Sequence, residues 1–119
     1  MAAAAGLPVV EARLRAILAP YEGRLEWATI YGIPTLRRAG SKGHQWFAFV
    51  KPGARQVGFF LLPVHTYPEL AASLSPALAK RRTGESVFNF RTVDEAEMAE
   101  LEDLVARAFD RYMAEPASG

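Results

Sequence analysis

Two runs constrain this chain more than anything else in it: His44-Gln45-Trp46-Phe47-Ala48-Phe49-Val50-Lys51 and Gln56-Val57-Gly58-Phe59-Phe60-Leu61-Leu62. Both are short and rich in aromatic and β-branched residues, the composition of strands. Residues 52–55 alone separate them, which calls for an antiparallel hairpin, and Pro52-Gly53 suits the central positions of a type II turn. Strict alternation turns Trp46, Ala48 and Val50 one way and Phe47 and Phe49 the other. It likewise sets Val57, Phe59 and Leu61 against Phe60 and Leu62. A sheet with one wet face alternates apolar and polar residues. These runs do not, so both faces are expected to be covered. Helices cover both, or one face is a ligand groove or a subunit interface.

The flanking segments supply the helices. Leu14, Ile17 and Leu18 recur at helical spacing within residues 9–19, and Pro20 and Gly23 end that helix. Residues 24–34 carry two signals. Leu25, Trp27 and Thr29 alternate as in a strand, but Gly32 followed by Pro34 is a helix stop. The stop signal predicts a short helix. Residues 35–39 read as a short strand. Thr66-Tyr67-Pro68-Glu69 has the form of a capping box, and Ser75-Pro76 that of a second cap. A bent or broken helix is therefore expected from about 67 to 82. Ser86–Arg91 is a further strand. Asp94 and Glu97 open a long helix over 94–113, whose apolar stripe is Met98, Leu101, Leu104, Val105, Ala108, Phe109 and Tyr112. The fold class is α+β: a small antiparallel sheet of about four strands with N-terminal, middle and long C-terminal helices. One domain is expected over residues 1–119, fraying at about 1–8 and 114–119.

Charge and composition narrow the function classes. With 14 basic and 13 acidic residues the net charge is +1, so nucleic acid is not an expected partner. There is no cysteine, which excludes thiolate catalysis and cysteine-ligated zinc. The start shows neither a signal-peptide pattern nor an apolar run of spanning length, so no membrane is expected and the cytoplasm is the default location. His44 and His65 are the only histidines and lie in no metal-ligand spacing. No serine stands in Gly-x-Ser-x-Gly. The expectation is no catalytic residue and no enzyme.

Three candidate sites remain. Tyr31 and Thr35 flank the Gly32-Ile33-Pro34 reversal, where their hydroxyls would stand at the mouth of a groove beside Trp46 and Phe60. In Lys80-Arg81-Arg82-Thr83-Gly84-Glu85 the cations fall where a helix ends and Gly84 suits its left-handed cap. The alternative is an anion site built by Arg81 and Arg82 with Arg37 or Arg38. Finally, Asp94, Glu95, Glu97, Glu100, Glu102 and Asp103 crowd one helix start. Glu97 and Glu100, one turn apart, form a carboxylate pair able to share a hard cation, against the plainer reading of a solvated face.

The order of motifs also carries a resemblance. Tyr31-Gly32-Ile33-Pro34-Thr35, two aromatic strands, a helix ending before Gly84, Phe88-Asn89-Phe90 and a final helix resemble the YdhG-like family of bacterial domains over about residues 24–113. The resemblance implies a compact α+β domain with helices packed on a small antiparallel sheet. It also implies a non-catalytic binding role toward a small molecule or protein. Some relatives are described as frataxin-like iron chaperones, so iron at Glu97 and Glu100 is the cofactor it suggests; no other is expected. Family members often carry Lys after the glycine that precedes the Phe-x-Phe strand, and this chain has Glu85. A homodimer is the simplest closed assembly for strands that are apolar on both faces.

Overall fold

The computed structural model describes residues 6–30, 32–39 and 45–114. Helix α1 (Leu7–Leu18) leads through a 3-10 turn (Ala19–Tyr21) into four strands: β1 (Glu26–Ile30), β2 (Ile33–Arg37), β3 (Trp46–Pro52) and β4 (Val57–Leu61). Three short helices follow, α2 (Pro63–Thr66), α3 (Pro68–Ala72) and α4 (Pro76–Arg81), then β5 (Val87–Phe90) and the long α5 (Glu95–Ala114). The strands form one five-stranded antiparallel sheet in the order β1-β2-β3-β4-β5. The α+β architecture expected from sequence is present, with one strand more than expected.

That extra strand is β1, where a short helix was predicted. Gly32 does adopt the left-handed conformation, at φ +79°, but it does so in a two-residue loop that joins Ile30 to Ile33. The Gly-x-Pro signal suits a hairpin as well as a helix stop. Pro34, opposite Thr29, lies within β2, which spans 33–37 rather than 35–39. Leu25, Trp27 and Thr29 thus follow the alternation of a strand, with Leu25 buried at its foot.

The register of β3 corrects the expected facing. Arg37 pairs with Trp46 and Leu36 with Ala48, so Phe47 is an extra residue in β3, a β-bulge. The bulge resets the alternation. Phe47 joins Ala48 and Val50 in the core, all three at most 4% exposed, while Trp46 falls on the same face as Phe49. On the core face β3 is continued by Val57, Phe59 and Leu61 of β4 and by Phe88 and Phe90 of β5.

One layer of helices closes this face. Val10, Leu14, Ile17 and Leu18 of α1 pack on β3 and β4. Helix α5 buries the predicted stripe, from Met98 to Tyr112. Its Phe109 and Tyr112 rings stand 5.8 and 5.1 Å from Phe47. Tyr112 also ties the end of α5 to the bulge. Its hydroxyl accepts from the Arg38 amide at 2.9 Å and donates to the Gln45 carbonyl, while the Arg38 guanidinium donates to the Tyr112 carbonyl. Helices α2 to α4 also pack against α5, whose opposite face is exposed.

Several local expectations are revised. Helix α1 begins at Leu7 and α5 runs to Ala114, so residues 7, 8 and 114 belong to helices rather than to frayed ends. Of the remaining predicted tail residues, Gly6 stands at the N-cap of α1, and 1–5 and 115–119 lie outside the described residues, as do Tyr31 and His44. Thr66 is no capping box: α3 starts after Tyr67 without a side-chain cap, and the Thr66 hydroxyl instead donates to Leu62 O. Ser75 does cap α4, accepting from the Leu78 amide at 3.2 Å ahead of Pro76. Asp94 caps α5 through the amides of Ala96 and Glu97. Gly53 and Gly84 are not left-handed; both allow close approaches. A Cβ would lie 2.9 Å from Gln56 O at Gly53 and 2.9 Å from Val87 Cγ1 at Gly84. Pro52-Gly53 is therefore no type II turn, since that turn needs positive φ at the glycine. Helix α4 ends in an extended Arg82.

Candidate functional site

The face of the sheet away from the helices carries a row of rings. Phe49 and Phe60 are paired across β3 and β4 and stack with centroids 4.4 Å apart and planes 9° from parallel. The Trp46 ring continues the row, 5.1 Å from Phe49 and tilted by 53°. All three are half-buried, and none packs on the core cluster. Val87 stands opposite Phe60 on β5. The glycine at position 58 sets the floor. A Cβ there would meet Phe60 Cε1 at 2.9 Å, so its absence lets the ring lean along the strand. Lys51, exposed and opposite Gly58, follows Phe49 on the same face. Beside the row, the Arg37 guanidinium meets the Glu26 carboxylate at 2.9 Å.

Two of the four residues expected to line a groove, Trp46 and Phe60, are thus brought together, bridged by Phe49. Thr35 is fully buried and its hydroxyl donates to Ile33 O at 2.9 Å, so it offers nothing to a groove mouth. Phe49 was missed because uninterrupted alternation sends it to the face opposite Trp46. The pairing of Pro52 with Val57 across residues 53–56 is the feature that sets Phe49 against Phe60.

The charged candidates are drawn to separate partners. Arg81 holds Glu97 through two bonds of 3.0 and 3.2 Å, and that contact raises the Arg81 pKa. Arg82 donates to the Glu85 carbonyl at 2.7 and 3.2 Å. Arg37 faces Glu26, and Arg38 lies over the Tyr112 ring. The guanidinium groups proposed as an anion site therefore serve different acceptors. Glu100 turns from Glu97 to Ser75, accepting from its amide at 2.9 Å and its hydroxyl at 2.5 Å. Glu95 and Glu102 both meet Arg13 of α1, which pulls the Glu95 carboxyl below its ordinary pKa. His65 lies 3.8 Å from Glu85. Among the described residues no three His, Cys, Asp or Glu side chains gather as a metal would require. Nor is any of their helices long and apolar enough to cross a membrane.

Fold and site together define a two-layer α+β domain with one sheet face under helices and the other bearing aromatic rings. Comparison with protein-family models, curated proteins and solved structures returns no match to this chain.

Proposed function

We propose that this chain is a non-catalytic cytoplasmic binding domain of the YdhG-like type, and that its ligand surface is the helix-free face of the sheet. One observation carries the reading: Trp46, Phe49 and Phe60 form a contiguous aromatic row on that face, apart from the core. A contiguous group of apolar rings left outside the core supports a binding surface on this face. The ligand chemistry that suits it is a small molecule with a planar or apolar body, and Lys51 offers a cation to an acidic end.

Protein-observed NMR against a fragment collection of planar aromatic acids, matched neutral compounds and aliphatic acids tests this. Shifts should gather on the amides of residues 46–51 and 58–60 and vanish in a folded Phe60→Ala variant. Lys51→Met should weaken the acids alone. Shifts confined to the helical side, or unchanged in Phe60→Ala, overturn the reading.

A further inference from the structure

The two outer strands of the sheet are finished differently. The chain's own segment overlays β5: Arg82 bridges Phe88, and the Thr83 amide donates to Val87 O at 3.0 Å. Strand β1, at the other edge, has no backbone partner on its outer side among the described residues. An open edge offers a row of free donors and acceptors, and proteins usually blunt it with lysine, proline, a bulge or a covering segment. Glu26-Trp27-Ala28-Thr29-Ile30 contains neither lysine nor proline and pairs with β2 without a break. Its single charge, Glu26, is taken up by Arg37. Trp27 is 43% exposed, one of three large hydrophobic side chains so exposed among the described residues.

The register tells which groups face outward. A two-residue hairpin loop closes on a pair that exchanges both backbone bonds, here Ile30 and Ile33. Alternation then directs the amides and carbonyls of Glu26, Ala28 and Ile30 toward β2, and those of Trp27 and Thr29 outward. Pro34 fits this assignment, because it lies opposite Thr29 in a pair that needs no donor from it.

We propose that β1 pairs with β1 of a second copy of this chain, antiparallel about a two-fold axis at Ala28, so that two sheets become one. This register sets Trp27 of each copy opposite Thr29 of the other, with both outward bonds exchanged. The small Ala28 meets its own mate. Glu26 falls opposite Ile30, so the two carboxylates lie at opposite ends of the pairing and no like charges confront each other. A second copy is favoured over an unrelated extended peptide because the strand complements itself in charge, bonding and bulk. With β5 overlaid by Arg82 and Thr83, β1 is the open edge among the described residues, so the pairing closes as a dimer.

Sedimentation equilibrium on the full chain tests this over about 2–200 µM, the range where edge pairing of modest affinity is resolved. The mass should rise from 13.1 kDa for one chain toward twice that. Thr29→Pro removes an outward donor while sparing the β2 ladder, and Trp27→Lys sets like charges close across the axis. Each variant, checked for native circular dichroism, should stay at the single-chain mass. Amide exchange at Trp27 and Thr29 should slow only in the concentrated parent. A parent at single-chain mass throughout, or a folded variant that still doubles, overturns the proposal. So does protection of these amides by added peptides without any change in the mass of the chain alone.

Discussion

Gly32 shows how one residue decides between two folds for the same segment. Its φ of +79° is one that only glycine adopts freely, and a Cβ there would meet nothing within 4 Å. The cost of a side chain is thus conformational rather than steric. Gly32→Ala should destabilise the protein by about 1–2 kcal/mol in urea unfolding, and Gly32→Asn by less, because asparagine tolerates the left-handed region. A loss as small as for an exposed helix substitution would show that this hairpin relaxes. The glycine was legible in the sequence as a left-handed position; its role was not, because a helix cap and a hairpin loop ask the same of it. Phe49 teaches a related lesson. Its pairing with Phe60 follows from loop length, but its sharing a face with Trp46 depends on the bulge at Phe47. That bulge lies in the pairing with β2, beside the Tyr112 clasp, and local pattern does not reveal it.

Among the elements, α5 was the most legible, since periodicity over 20 residues leaves little alternative, and every residue of its predicted stripe is buried. The short helices α2 to α4 were the least, because a cap sequence states what a side chain is able to do and not which amide it meets. Ser75 and Thr66 make the comparison. Ser75→Ala removes the α4 cap and a bond to Glu100, and should cost about 1–2 kcal/mol; Thr66→Ala removes no cap and should cost well under that. Equal losses in thermal unfolding would restore the capping-box reading. The junction of α1 and α5 is pH-sensitive in a defined direction. Arg13 lowers the Glu95 pKa, so the stability from this contact is complete above the unfolded carboxylate value of about 4.3 and is lost as pH falls through the lower folded value. Arg13, raised by the same contact, would lose its share only on strongly alkaline titration. Between about pH 6 and pH 3 the melting temperature should fall less steeply in Glu95→Gln than in the parent. High salt should narrow the difference, since the carboxylate is exposed.

For the whole molecule, a sheet whose strands stand in chain order has consequences in time. Strands β1 to β4 meet their neighbours through short loops, whereas residues 62–86 intervene before β5 joins, and α1 and α5 meet across the length of the chain: Arg13 and Glu95 are 82 residues apart. Closing short loops costs little entropy, so the hairpins are suited to form before the rate-limiting barrier, and the docking of the two helices to follow it. Substitutions should then sort by position in a stopped-flow chevron. Gly32→Ala, in the first hairpin, should act chiefly by slowing refolding, while Ile17→Val, at the α1 surface buried in the core, should act chiefly by hastening unfolding. The opposite sorting would mean that the terminal helices nucleate the fold. In the expected order, the aromatic face takes shape while the chain is still open, and the life of the finished protein is set by how long its two ends hold together.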